Sequence, residues 1–363
     1  MNNRTGQEFT IAFDSRQLTP AAWQHEQPDQ PLSLFNPTLL PHQGGWLMAY
    51  RVVAPGYTVN RIAACRLTDT FEIVPQSVVP LSDTIKGINQ GIGDPRLVVH
   101  NGRTYLLYCS FHPVSHLYLV EVDRDTLEAR ATSRWLSLEP RQQHERNWMP
   151  FSHDDQLLAV YTISPHVILR LRLADAHEVR CEPLYTTQWN SSAYTRRFGE
   201  MRGGTPPVRV GDTYYSFFHS SRFAGVVYPW LRQLRSKGRR HGDAVAAQEV
   251  RPRAENGARL GWLRQWYRER FIHLQYVGGF YGFAAAPPFA PVHVAPQPVL
   301  VADRDLAASH PNQLRPIARR VVFPAGAALR HERQWVVTYG LNDRLCMLGA
   351  FNHTRLLHQS AAV

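Results

Sequence analysis

The sequence predicts an all-β fold, a five-bladed β-propeller with a basic helical insertion between its fourth and fifth repeats. Three observations predict it. One pattern recurs along the chain: one or two turn residues, then an apolar, aromatic-rich run ending near Tyr or Phe. The copies recur at about 50-residue spacing, long enough for four short strands and typical of propeller blades. Helical periodicity is scarce outside one basic segment.

The copies are Gly44–Val52 (GGWLMAYRV), Asn101–Phe111 (NGRTYLLYCSF), Asp154–Ser164 (DDQLLAVYTIS), Val210–Ser221 (VGDTYYSFFHSS) and Glu332–Asn342 (ERQWVVTYGLN). Each reads as a hairpin turn followed by a strand with β-branched or aromatic content. The anchors Tyr50, Tyr108, Tyr161 and Phe218 lie 58, 53 and 57 residues apart, and Phe218 to Tyr339 spans 121, one repeat plus an insertion. A β-sandwich would share the turn density but not the repeat. Residues 1–30 read as an N-terminal extension, and residues 31–363 as one catalytic propeller domain interrupted by residues 222–272.

Between Arg222 and Arg270 there are 12 basic residues against four acids, so this segment carries +8 of the formal net charge of +11. Trp230, Leu231 and Leu234, then Leu260, Leu263, Trp266 and Tyr267, fall at helical spacing. Two short basic amphipathic helices are expected, either packed on the propeller rim or presented to an anionic membrane surface or partner. Nucleic acid is not expected as a partner, because the charge is not interleaved with a nucleic-acid-binding motif and the remaining chain is nearly balanced.

Several classes are excluded. No apolar run reaches about 18 residues, as a membrane-spanning helix requires. The first 30 residues are polar and lack the basic, apolar, small-residue order of a signal peptide. Cys65, Cys109, Cys181 and Cys346 form no CxxC pair, so neither a disulfide framework nor a zinc site is expected and a cytoplasmic setting is the default. His144, Glu145, His153, Asp154 and Asp155 cluster in sequence but not on one helical face, so no metal or other cofactor is expected.

In a propeller, the polar residues flanking each repeated run converge on the central pocket. These are Asn36 and Arg51; Asp94 and Arg96; Arg146, Asn147 and His166; Glu200, Arg202 and His219; and Asp343. A set so rich in carboxylate, amide, guanidinium and imidazole suits sugar hydroxyls and an oxocarbenium-like transition state.

The order of motifs carries a resemblance: FNP (Phe35–Pro37) with Tyr50-Arg51, GDPRL (Gly93–Leu97), GGTPPV (Gly203–Val208) with FFHS (Phe217–Ser220), APPFAP (Ala286–Pro291), VVFPAGAAL (Val321–Leu329) and TYGLND (Thr338–Asp343). It resembles the β-mannoside phosphorylase family of inverting glycoside hydrolases, from about Phe35 to Phe351. The resemblance implies a five-bladed propeller with Asp94 as the catalytic acid. It implies that Asn36, Arg51 and Asp343 hold the sugar and that His219 contacts phosphate; Arg96 and Asn147, from their place beside the repeat runs, are further substrate-binding candidates. Two departures stand out. Ser164-Pro165-His166 replaces the family's His-Arg-Pro, and Glu200 stands where phosphorylases tend to carry lysine. A carboxylate there repels inorganic phosphate, although Arg146 and Arg202, with His166 and His219, could rebuild an anion site. Three outcomes therefore stay open: phosphorolysis; hydrolysis with Glu200 as base; and β-mannosyl transfer from an activated donor such as a sugar nucleotide at the inner membrane face. The expected partner is an oligosaccharide or other glycan, and a non-catalytic glycan-binding propeller is the remaining alternative.

Overall fold

Alternate side chains of one strand enter two different apolar clusters. In the run Gly45–Val53, Trp46, Met48 and Tyr50 pack into one buried cluster while Leu47 and Ala49 enter another. A strand buried on both faces must be apolar throughout rather than alternating, which is why these runs read as continuous hydrophobic stretches.

The computed structural model describes residues 6–24, 32–54, 60–87, 91–111, 114–140, 142, 144–173, 177–225 and 272–363. The chain opens with β1 (Gln7–Ala12). A first antiparallel meander follows, β2 (Ser33–His42), β3 (Gly45–Val53) and β4 (Asn60–Leu67), extended by bridges from β4 to Ile73 and Val79. The second contains β5 (Ile92–His100), β6 (Arg103–Ser110), β7 (His116–Val122) and β8 (Arg134–Leu138). The third contains β9 (Met149–His153), β10 (Gln156–Thr162), β11 (His166–Arg172) and β12 (Glu178–Thr187). A parallel β8–β12 pairing joins the second and third into one eight-stranded sheet. The fourth contains β13 (Met201–Arg202), β14 (Val208–Val210), β15 (Thr213–Gly225), β16 (Ile272–Ala284) and β17 (Pro291–Val294). The last contains β18 (Val322–Arg330), β19 (Gln334–Leu341) and β20 (Leu345–Asn352), with β21 (Ala361–Ala362) returning to pair with β17. The five predicted repeat runs are β3, β6, β10, β15 and β19, the second strand of each meander except the fourth, where β13 and β14 both precede β15 and pair with it.

Apolar clusters lie between successive meanders, and one of them, with Leu34, Met48, Val336 and Leu348, joins the last meander to the first. The architecture is all-β and propeller-like. No helix among the described residues is long and apolar enough to cross a membrane.

Two expectations about segments take a finer form. Residues read as an N-terminal extension instead supply an outer strand: β1 pairs with β20, Leu18 and Trp23 are buried, and Trp23 Nε1 donates to Asp83 Oδ2 at 3.0 Å. The basic insertion, expected between the fourth and fifth repeat runs, falls within the fourth meander, between β15 and β16. β15 pairs with β16 in unbroken antiparallel register from Thr213–Ala284 to Gly225–Ile272. Lengthening a hairpin loop adds little closure entropy, so such a loop accepts a long insertion without disturbing the sheet. Residues 222–225 and 272 at its flanks are strand, and the helices expected between them fall outside the described residues.

The first strands of three meanders break register near their starts: β2 between Phe35 and Thr38, β5 between Gly93 and Arg96, and β18 between Pro324 and Gly326. Each break bulges out the residues around a proline, which has no N–H for the ladder, and re-aims a side chain.

Candidate active site

Asn36 and Asp94 sit in these breaks with positive φ, 53° and 54°, a region that Asn and Asp tolerate better than most residues. The bulges bring them together: Asn36 Nδ2 donates to Asp94 Oδ1 at 2.8 Å. Arg51, near the end of β3, donates from Nη1 to the same oxygen at 3.1 Å and from Nε to Asn60 Oδ1 at 2.8 Å. Its guanidinium lies 4.2 Å from the Phe111 ring centroid and 5.2 Å from that of Phe35. Arg51 is thus fixed on four sides, and Asp94, whose side chain keeps 18% exposure, is the member of the group that reaches solvent. The approach of the last meander is equally close. A Cβ on Gly340 would lie 2.2 Å from Asn36 Oδ1 and 2.9 Å from Asn36 N, so only glycine lets the end of β19 lie against Asn36.

From the second meander, buried Arg96 donates through Nε to Gly204 O of the fourth and through Nη1 to Pro95 O at 2.9 Å. Its Nη2 is buried with no hydrogen-bond partner among the described residues. His219 reads the neighbouring carbonyl: its Nδ1 lies 2.9 Å from Gly203 O. A carbonyl only accepts, so Nδ1 carries the proton and Nε2 offers a lone pair. Burial, then the charges of Arg202 and Arg96, push the His219 pKa down to about 3 against the Gly203 bond and Asp94. At neutral pH His219 is an uncharged acceptor. It suits a sugar hydroxyl or a protonated phosphate oxygen, and it contributes no positive charge.

Asp94 and Asp343 are shifted in opposite directions. For Asp94, burial raises the pKa, but the Arg51 charge, the Asn36 hydrogen bond and the Arg96 charge outweigh it and hold the carboxyl below its usual value. For Asp343, burial dominates and raises it; the Asn312 bond and the charges of Arg51 and Arg315 oppose this, and Asp94 reinforces it. Asp343 Oδ2 accepts from Asn312 Nδ2 at 2.9 Å, and Asn312 Oδ1 in turn accepts from Arg315 N at 2.8 Å.

The structure therefore brings Asn36, Arg51, Asp94 and Arg96 into one bonded group, with His219 and Asp343 in electrostatic contact with it. Arg202 acts electrostatically on His219, and exposed Arg146 on Cys109, which pairs with Gly93 beside Asp94. Asn147, at φ 64°, lies against the fourth meander: a Cβ on Gly203 would sit 1.8 Å from Asn147 O. Two residues are placed elsewhere. His166 is buried, its pKa pushed down to about 4 by burial, with its ring 4.9 Å from that of Phe283 and 5.9 Å from that of Tyr281. Glu200 has an 82% exposed side chain and pairs with Arg202 at 3.4 Å. Asn60, Phe111 and Asn312 were missed by sequence reasoning. The polar run ahead of β18 was the available signal for Asn312.

No group of three or more His, Cys, Asp or Glu suited to a metal ion occurs among the described residues. A separate cavity of about 600 Å³ lies at the opposite, hairpin end of the strands, lined by His42, Trp46, Asp69, Arg124 and Arg330 among others, and includes none of the site residues.

No protein-family model matches the chain, and no curated protein matches its sequence. Solved structures do share its fold. A β-1,2-mannobiose phosphorylase from Listeria innocua, solved with β-1,2-mannobiose, superposes with a TM-score of 0.59 at 13% identity, covering 96% of this chain and 98% of that one. A structure from the mannoside phosphorylase family, described for glycoside hydrolases that target β-1,2-mannosidic linkages in Candida mannan, gives 0.59 at 11% identity over 98% and 93%. A GDP-mannose-dependent mannosyltransferase from Leishmania mexicana gives 0.52 at 11% over 95% and 90%. At these identities the likeness shows a common fold.

Proposed function

We propose that this chain is a carbohydrate-active enzyme that transfers a glycosyl group at β-mannosides with inversion, on a propeller of five blades, with Asp94 as general acid. The observation that carries the proposal is the bonded group of Asn36, Arg51 and Asp94, assembled where the first strands of two meanders break register. It supplies an oriented carboxyl, an amide and a guanidinium at one point, the equipment for holding a sugar beside a protonatable oxygen. The fold shared with a mannobiose phosphorylase and a mannosyltransferase supports mannose as the transferred sugar.

Among the three outcomes, phosphorolysis is favoured over hydrolysis. Glu200 is exposed and paired with Arg202, a poor setting for a base that must activate a single water. Arg96 and Arg202 put positive charge near His219, where an attacking phosphate needs it. One observation favours a second reading, mannosyl transfer from an activated donor. β15 and β16 continue past His219 for six and six residues respectively, to Gly225 and Ile272, so the strongly basic segment leaves the fold at the site end. It would meet an anionic donor, or the anionic surface bearing a lipid-linked acceptor.

The test is product analysis on β-mannobioses with and without phosphate, and with mannose 1-phosphate or GDP-mannose as donor, comparing wild type with Asp94→Asn. Sugar phosphate formed only with phosphate, and lost in Asp94→Asn by about 10²–10⁴-fold, is the expected result. Elongation from GDP-mannose without cleavage in either buffer selects the second reading. Retained binding with no turnover under any condition overturns the enzymatic proposal.

A further inference from the structure

The cavity of about 600 Å³ at the hairpin end of the strands is walled by three meanders. The β2–β3 hairpin supplies Pro41, His42 and Trp46, and the segment after β4 supplies Asp69. Arg124 comes from the β7–β8 connection, and Leu329 and Arg330 from the end of β18. The volume falls within the range of about 300–1,000 Å³ typical of small-molecule sites. Phe71 fixes two of these side chains together. Its ring stacks on Trp46 at 5.5 Å, and the Arg330 guanidinium lies 5.6 Å from the same ring centroid.

Three of the lining side chains carry a buried nitrogen with no hydrogen-bond partner among the described residues: Trp46 Nε1, Arg330 Nε and His42 Nε2. His42 Nε2 stands 3.4 Å from Asp125 Oδ1 without hydrogen-bond geometry. One unpaired buried donor is costly, and three around one cavity call for a common partner. Indole and guanidinium N–H groups only donate, so that partner must accept. The nearby carboxylates are already engaged. Asp69 Oδ2 accepts from Arg330 Nη2, and Asp125 Oδ1 accepts from Gln43 Nε2 at 3.0 Å. A ligand hydroxyl would need an acceptor for its own hydrogen, whereas an oxyanion needs none and takes several donors at once. Arg124 adds a second guanidinium, bonded to Thr104 Oγ1 and Gly102 O and to no carboxylate among the described residues. Pro41 and Leu329 leave an apolar wall for the rest of a ligand.

We propose that this cavity is a second ligand site, for a small organic anion whose phosphate or carboxylate group accepts from Trp46, Arg330 and His42 and faces Arg124. A free phosphate fills little of such a volume, so the charged group is carried on a body about the size of a hexose. The site stands apart from the glycosyl-transfer reading, since none of the residues around Asp94 lines it. An anion seated there ties the first and last meanders together through Trp46 and Arg330.

The test follows the indole N–H signals of the nine tryptophans by ¹H–¹⁵N NMR in the full-length protein, with the Trp46 signal identified by its loss in Trp46→Phe. Mannose 6-phosphate and glucuronate are the organic anions, mannose the neutral probe and inorganic phosphate the bare anion. Saturable movement of the Trp46 signal is expected with at least one organic anion, about tenfold tighter or more than with mannose or inorganic phosphate. Arg124→Gln and Arg330→Gln should each weaken that binding by about tenfold or more. Arg330→Gln also gives up the Asp69 pair; should it fail to fold, Arg124→Gln decides. Mannose bound as tightly as the anions overturns the anionic assignment, and inorganic phosphate bound as tightly overturns the organic body. A Trp46 signal that no probe moves overturns the site, as does binding untouched by Arg124→Gln. Anions bound beside Asp94 move other signals and leave this one still, so the result does not depend on the catalytic reading.

Discussion

The strand β19 is bracketed by two turns of the same backbone geometry. His331-Glu332-Arg333 enters it and Asn342-Asp343-Arg344 leaves it. Both pairs of leading residues have positive φ, 49° and 56° in the first and 53° and 49° in the second, and each turn closes with a bond from its third residue's N–H to the carbonyl before it. Only their surroundings differ. The first turn is exposed throughout. In the second, Asn342 is buried with three hydrogen bonds and Asp343 is held by Asn312. Unusual dihedrals therefore do not mark a site by themselves, since the chain uses this turn twice. The convergence of partners from other elements marks it.

The comparison can be broken most severely at Asn342. Replacing it with alanine leaves Val321 N and the Ala307 and His310 carbonyls without their partner, and about 3 kcal/mol of stability is expected to go, measured by denaturant unfolding. Loss of turnover should accompany it, because the turn would no longer aim Asp343. Next in size is Gly340→Ala, which forces a Cβ to within 2.2 Å of Asn36 Oδ1. Overpacking of this kind costs about 1–3 kcal/mol, and activity should fall further than stability accounts for, since Asn36 orients Asp94.

A third experiment sharpens the contrast through pH. The folded-state pKa of Asp343 is raised, so the native state binds more protons than the unfolded chain across the interval between the two values. Its contribution favours folding below the unfolded value and is lost as pH rises through the folded one. Asp343→Asn is thus expected to flatten the fall in stability with rising pH over that interval, read from unfolding curves at several pH values. Asp94 has the opposite sign and should weaken the fold as pH falls. The smallest effect belongs to the exposed turn. Glu332→Gly relieves a positive φ at a site with nothing to hold, and a gain under about 1 kcal/mol with unchanged kcat/KM is expected.

Much of this was legible in the sequence, for definite reasons. Strands buried on both faces leave continuous apolar runs, so the five copies and their spacing could be read directly. Asn36, Arg51, Asp94 and Arg96 adjoin those runs, and the prolines at positions 37 and 95 marked the places where the ladder breaks. His166 shows where such reading fails. It stands two residues before Ile168 on β11, and alternation puts both on one face, which packs against the aromatic core of the third and fourth meanders. Nearness to a motif gave its place along the chain, not its direction. Asn312 and Asn60 escaped because they belong to no repeated run and act only through the side chains they hold, those of Asp343 and Arg51. The expected bounds of the insertion overlap the strand ends at residues 222–225 and 272, because β15 and β16 run up to it without a turn signal.

The pairing of β1 with β20 has a consequence for synthesis. More than 300 residues separate Ala12 from its partner Met347. At about 5–20 residues per second, the nascent β1 waits on the order of tens of seconds before its neighbour leaves the ribosome. Through that time it is an unpaired strand edge, available to other chains. A strand made near the start of synthesis thus completes a sheet made near its end, and crowding of ribosomes on one message would be felt at that waiting edge.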